Sequence, residues 1–144
     1  MHHIAIMKKS WGFLEKILER KKTIESRLYL SKHIPWNRVN NGDTIWIKNS
    51  GEPVVAKATV ANVLQYENLT NEKIDEIMRI YGQKITGSDQ IPTSNTKYFS
   101  NKKYAILVFL SSVQKTEPFN IDKTGFGAMS AWICVGNIDT IRCK

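Results

Sequence analysis

The spacing of apolar residues changes several times along the chain, and each change marks an element. Residues 4–7 form a short apolar run of strand length, and Ser10 stands where an N-cap hydroxyl would satisfy the first free amides of a helix. Trp11, Leu14, Ile17 and Leu18 then recur at helical spacing with Glu15, Lys16, Glu19 and Arg20 facing away, so that stripe is expected in the core. Residues 23–30 alternate partly like a strand, and the Pro35-Trp36 and Asn41-Gly42 pairs mark a loop into a second strand at 43–48, where Ile45 and Ile47 share one face. The turn cluster Ser50-Gly51-Glu52-Pro53 leads to 54–64, rich in β-branched and small residues and expected to pair with 43–48 as a hairpin.

Leu69 is placed to staple onto Ile74 across a Thr70 cap, and Ile74, Ile77, Met78 and Tyr81 predict a second amphipathic helix ending near Gly82. Residues 86–96 are polar, carry Gly87 and Pro92 and follow neither period, which predicts a long loop able to overhang a site. Residues 103–113 read as a central strand, 119–129 as loop, and 131–138 as the segment that closes the sheet. Strands outnumber helices at uneven spacing, so the expected class is α+β: a mixed or antiparallel, barrel-like sheet with two or more peripheral helices.

Composition narrows the setting. At 144 residues and 42% apolar content the chain is expected to be a single domain, 1–144, with a core that needs no covalent staples. No stretch approaches the roughly 20 apolar residues of a membrane helix, and Met1-His2-His3-Ile4 opens without the features of an export signal. Cys134 and Cys143 are the only cysteines, so no disulfide framework is expected and a reducing cytoplasm is the expected compartment. The three histidines, His2, His3 and His33, are expected at the surface; no Cys or His pair has zinc-site spacing and no phosphate-binding glycine loop occurs, so neither a metal nor a cofactor is expected.

Charge changes the picture more. The net charge is +8, and residues 1–40 carry nine basic side chains against three acidic ones, a net +6 in that segment. Such a concentration of positive potential attracts polyanions, although a solvated basic surface would look the same. Within it, Arg20-Lys21-Lys22-Thr23-Ile24-Glu25-Ser26-Arg27 sends Glu25 and Arg27 to one strand face beside Lys22. A guanidinium and an ammonium suit phosphate or carbonyl oxygens, and a carboxylate accepts from base amino groups or carries protons. A structural salt-bridge cluster at a helix-to-strand corner is the other reading.

These residues resemble the ASCH domain family, whose signature is Gly-x-Lys-x-x-Glu-x-Arg after a first helix, followed by a Gly-Asp strand. Lys22, Glu25 and Arg27 stand at its three charged positions, Asn41-Gly42-Asp43-Thr44-Ile45 is similar to the Gly-Asp strand, and residues 54–64 are similar to the next; Arg20 replaces the glycine. The resemblance implies a PUA-like β-barrel with a charged cleft and a role in binding RNA or a nucleotide. Some small relatives deacetylate acetylated cytidine through a Lys-x-x-Thr pair; Glu25 stands in place of that threonine, and a carboxylate does not replace a hydroxyl nucleophile.

The leading expectation is therefore a binding module for RNA, a nucleotide or a modified nucleoside, with no membrane partner. Lys22, Arg27 and the neighbouring Lys21, Lys9 and Arg38 would hold phosphate, Glu25 would read a base edge, and Tyr29 or Trp36 would stack. The alternative is a hydrolase on RNA or a modified nucleoside, with Glu25 as general base and Lys22 stabilising negative charge. A third reading is an interaction domain for an acidic protein partner.

Overall fold

The computed structural model describes residues 1–99 and 101–143. Its strands are β1 (His2–Met7), β2 (Ile24–Tyr29), β3 (Thr44–Asn49), β4 (Val54–Tyr66), β5 (Tyr104–Phe119) and β6 (Trp132–Val135); its helices are α1 (Phe13–Leu18) and α2 (Asn71–Thr86), with short 3-10 turns at Lys9–Trp11, Lys97–Phe99 and Ile138–Thr140. The six strands form one mixed sheet in the order β2-β5-β4-β3-β1-β6, in which only β1 and β3 run parallel. The α+β class and the peripheral helices expected from the sequence are what the chain forms.

Curvature comes from β4 and β5. They pair over most of their length, and register shifts at Val54/Ala56, Lys57/Thr59 and Val60/Asn62 bend the ladder, as bulges do. The sheet curls into a half-barrel whose edges are β2 and β6. Across that seam one side chain substitutes for a backbone ladder. Arg27 on β2 donates from Nη1 to the Ala131 carbonyl at 3.1 Å and from Nη2 to the Ile6 carbonyl at 3.3 Å.

Three apolar clusters hold the fold. Inside the barrel, Ala5, Met7, Ile45, Ile47, Val60, Ile106 and Val108 meet Leu14 and Ile17 of α1. On the outer side of β2 and β5, Ile24, Leu28, Ala105 and Leu107 meet Ile74, Ile77, Met78 and Ile85 of α2, each worth roughly 1.5–3 kcal/mol when fully buried. Ile4 and Ile6 join a third cluster with Trp46, Val54 and Phe119. β1 is thus covered on both faces, which is why its sequence is a continuous apolar run rather than an alternation.

Local departures from the sequence reading have physical causes. Ser10 does not cap α1; it lies in the turn Lys9–Trp11, and the helix starts from Gly12 at φ 70° with no side-chain cap. Trp11 leaves the expected core stripe and is 47% exposed. Helix α2 runs past Gly82 to Thr86 and ends on Gly87 at φ 70°. Gly82 serves packing instead, because a Cβ there would meet Ile91 Cγ2 at 2.5 Å. The Leu69–Ile74 staple forms as expected, and the Thr70 side chain accepts from the Lys73 amide at 3.1 Å. Strand β5 extends to Phe119, six residues beyond the expected end at 113.

Candidate functional site

The segment after α1 turns sharply. Arg20 adopts φ 64°, the left-handed conformation that glycine enters freely, at the position where the signature has glycine. Its guanidinium ties to the Val113 carbonyl at 3.2 Å. That turn delivers Lys22 to the C-terminus of α2, whose last carbonyls lack partners within the helix. Lys22 Nζ donates to the Ile85 carbonyl and, at 2.6 Å, to the Ile24 carbonyl, while the Thr23 amide donates to the Lys84 carbonyl at 2.9 Å. Its ammonium also sits 4.6 Å from the Phe13 ring centroid. Lys22 is 1% exposed, and burial pushes its pKa down against the opposing pull of Glu25. The cation therefore pins helix to strand and is not presented to solvent.

Glu25 is 4% exposed. Its Oε1 accepts from the Ser26 amide at 3.0 Å and lies 3.9 Å from Lys22 Nζ and 3.8 Å from Arg27 Nε. Oε2, equally buried, has no hydrogen-bond partner in the protein. Leaving a buried acceptor unpaired costs about 1–3 kcal/mol, more for a charged group, so this carboxylate is held against its own solvation preference. Arg27 works across the seam: Nη1 and Nη2 close it, Nε lies 3.8 Å from Glu25, and the guanidinium carbon lies 5.2 Å from the Trp132 ring centroid.

Beside this cluster lies a cavity of about 640 Å³. β2 is an edge strand: the Thr23 carbonyl accepts from Leu110 of the neighbouring strand, and antiparallel alternation then turns the backbone groups of Ile24, Ser26 and Leu28 away from β5, toward the unpaired side. Glu25, Ser26, Arg27, Leu28 and Tyr29 of β2 line the cavity along this edge. Opposite them stand Ile6, Met7 and Lys8, and aromatic walls come from Trp11, Phe13, Tyr98 and Phe99. Trp11 meets the rings of Phe13 and Tyr98, each at 5.7 Å between centroids. Thr86 at the end of α2 and Pro92 and Thr96 of the following loop also border the cavity.

Of the residues singled out from the sequence, Glu25, Arg27 and Tyr29 line the cavity, and Lys22 lies directly behind Glu25. The Tyr29 hydroxyl donates to the Ile34 carbonyl at 3.2 Å, and burial raises its pKa. Trp36 is not among the lining residues; it packs edge-on against Tyr104, the β5 residue paired with Tyr29. Lys9, Lys21 and Arg38 are exposed and also outside the lining; Lys9 pairs with Glu52 at 2.6 Å and Lys21 with Glu19 at 3.4 Å. Sequence reasoning missed Lys8, Trp11, Phe13 and Tyr98. The signal for Trp11 was present in its position one residue ahead of a glycine, where a helical stripe breaks.

A second buried polar cluster corrects the surface expectation for His3, while His33 is exposed and His2 half-buried. His3 is 0% exposed. Its Nε2 donates to Asp43 Oδ2 at 2.9 Å, while Nδ1 accepts from Trp132 Nε1 at 3.1 Å and lies 3.2 Å from Cys134 Sγ. This network assigns a neutral ring protonated at Nε2, and burial, opposed by Asp43, lowers the His3 pKa. Asp43 also accepts from the Asn40 amide at 2.9 Å. A Cys–His–Asp line with the spacing of a nucleophilic relay thus exists, but Trp132 occupies the nitrogen a base would use and burial raises the Cys134 thiol pKa. Among the described residues no cluster of His, Cys, Asp and Glu is arranged to hold a metal ion, and no helix is long and apolar enough to cross a membrane.

The curled mixed sheet with its two helices places the chain in the PUA-like class of folds. More particularly, it has the ASCH fold. The ASCH protein of Zymomonas mobilis superposes with a TM-score of 0.69 at 19% identity, covering 96% of this chain and 90% of that one. A point mutant of the same protein gives 0.69 at 20% identity, with 96% and 91% covered. The hypothetical protein PH0355 superposes less closely, at 0.52 with 17% identity, covering 82% of this chain and 99% of that one. No protein-family model matches the sequence, and no curated protein matches it.

Proposed function

We propose that the chain is an RNA- or nucleotide-binding module that takes a nucleobase into the cavity beside β2. The observation that carries this reading is Glu25: a carboxylate 4% exposed, with one oxygen unpaired, in the wall of a mainly aromatic and aliphatic cavity of about 640 Å³. Such walls bind a flat ring by stacking, and one fixed acceptor orients it. The ASCH fold adds support, since the sequence signature for that fold runs through the same residues.

In this reading the charges divide their work by position. Lys22 and Arg27 build the site, because their donors are spent on backbone carbonyls. Phosphate contact falls to Lys8, which lines the cavity and lies 5.5 Å over Trp11. A strand leaving the cavity past Tyr29 runs toward Tyr104 and Trp36, with Arg38 two residues beyond, so stacking by Trp36 extends the site.

Titration with nucleoside 5′-monophosphates and short single-stranded RNA, followed by tryptophan fluorescence and calorimetry, tests the proposal. Binding is expected, and Trp11→Ala is expected to cost roughly 1–3 kcal/mol of it, the worth of one base–aromatic stack. Saturable binding that is indifferent to Trp11, or no binding to any of these ligands, would refute it.

A further inference from the structure

We infer that the base this cavity selects is guanine, read through two adjacent N–H donors by the Glu25 carboxylate. The inference rests on the nucleobase reading above and asks what the polar groups in the wall demand of a ring.

Around Glu25, the nearest strong donors are largely committed to backbone carbonyls. Lys22 Nζ serves the Ile24 and Ile85 carbonyls, and both Arg27 Nη atoms serve Ala131 and Ile6. The Tyr29 hydroxyl donates to Ile34, and the Thr86 hydroxyl to the Gly82 carbonyl at 2.9 Å. Glu25 itself keeps acceptor capacity: Oε2, without a partner, and the second lone pair of Oε1, whose one hydrogen bond is from Ser26. The outward-turned carbonyls of Ser26 and Leu28 on the β2 edge add acceptors beside it. Oε2 is closed off from the cavity, but the terminal torsion of glutamate is broad, so a small turn of the carboxylate presents it to an entering ring.

A wall of acceptors sorts the bases by their edges. Uracil offers one N–H between two carbonyl oxygens, which the carboxylate repels. Adenine and cytosine offer an amino group beside a ring nitrogen that is itself an acceptor. Guanine alone places N1–H and the 2-amino group side by side, matching both oxygens of one carboxylate. A cationic ring is disfavoured as well, since Lys22 and Arg27 already flank Glu25 at 3.9 and 3.8 Å. Sites with buried polar groups reject ligands that leave those groups unpaired more strongly than apolar sites reject a change of size.

The test is a binding series on the wild-type chain: guanosine, inosine, 1-methylguanosine, adenosine, cytidine and uridine. Guanosine is expected to bind best, with inosine, which lacks the 2-amino group, and 1-methylguanosine, which lacks N1–H, each weaker by about 5- to 150-fold, the discrimination of a bidentate pair. Glu25→Gln keeps the side-chain shape and is expected to erase the preference for guanosine over inosine. Should that variant fold poorly, the nucleoside series alone decides. Inosine equal to guanosine, or equal affinity for all bases, overturns this inference while leaving the nucleobase reading in place. No binding of any nucleoside, together with none of monophosphates or RNA, overturns both.

Discussion

The chain buries two clusters of ionisable side chains, and they differ in how completely their hydrogen bonds close. Around His3, each ring nitrogen is engaged by a neighbour within about 3 Å, and Asp43 accepts from both His3 and the Asn40 amide. Around Glu25, Lys22 and Arg27 each donate to two backbone carbonyls, yet the carboxylate they flank keeps one oxygen unpaired beside a cavity. Burial and an ion pair are therefore common to both and distinguish nothing. What marks the Glu25 cluster is an unsatisfied group in a residue that lines a cavity, since native interiors seldom leave such a group without a reason. The Cys–His–Asp line would attract attention by residue type alone, and its closed network identifies it as the anchor of β1 to β3 and β6.

The largest effect is expected from breaking the scaffold of the open cluster. Lys22→Met removes the cation that caps α2, leaves the Ile24 and Ile85 carbonyls without a donor, and strands the Glu25 charge. Removing one member of a buried ionic group costs about 3–5 kcal/mol, measured by urea denaturation. A loss below about 1 kcal/mol would mean that Lys22 is not the pin between helix and strand. Because the burden falls on folding, this variant is unsuited to testing ligand binding.

The closed cluster is expected to show itself through pH. The folded-state pKa of His3 is depressed, so the folded chain binds fewer protons than the unfolded one near the ordinary value of 6.5. The stability contributed by neutral His3 is thus fully present above about pH 6.5 and is lost as pH falls toward the depressed value. Asp43, also depressed, adds a second loss below its ordinary 3.8, the hydrogen bonds from His3 and Asn40 outweighing its burial. His3→Ala is expected to cost about 1–3 kcal/mol at pH 7, since it takes one donor from Asp43 and leaves Trp132 Nε1 without its acceptor, and to flatten the profile between pH 7 and 5. Denaturant midpoints across that range check it; an unchanged slope in the variant would assign the acid sensitivity elsewhere.

Much of this architecture was legible in the sequence, and the limits have physical causes. Apolar runs, alternation and β-branched content located the six strands, because their faces pack on defined clusters, although β5 runs six residues past its expected end at 113. The Glu25–Arg27–Tyr29 face followed from alternation, and the loop bordering the cavity from its lack of any period. Burial of Lys22 was not legible, because a lysine flanked by Arg20 and Lys21 looks solvated until the C-terminus of α2 arrives above it, some 60 residues later. His3 was hidden for the same reason: its partners Asp43, Trp132 and Cys134 are distant in the chain and meet only through the sheet. Arg20 is a middle case. The missing glycine looked like a break in the signature, whereas its φ of 64° shows the same turn made by a less suited residue.

The smallest effects belong to the exposed charges, and they sharpen the comparison from outside. Lys9 and Lys21 fall in the basic segment but already pair with Glu52 and Glu19 in water. Exposed pairs contribute about 0–1 kcal/mol, so Lys9→Ala and Lys21→Ala are expected to leave the melting curve almost unmoved. Their weight in RNA binding follows from the same pairing: a lysine that must leave a carboxylate to reach phosphate releases fewer counterions on balance. Lys8 lies over Trp11 at the cavity, and Lys8→Ala is expected to lower the log-log salt slope of single-stranded RNA binding by about 0.7, the share of one phosphate. Lys9→Ala and Lys21→Ala should lower it by less. Affinity measured between 50 and 200 mM salt for the three variants decides this. Equal changes for all three would mean that RNA meets a diffuse basic face, and that the open cluster beside β2 does not choose where the phosphate lies.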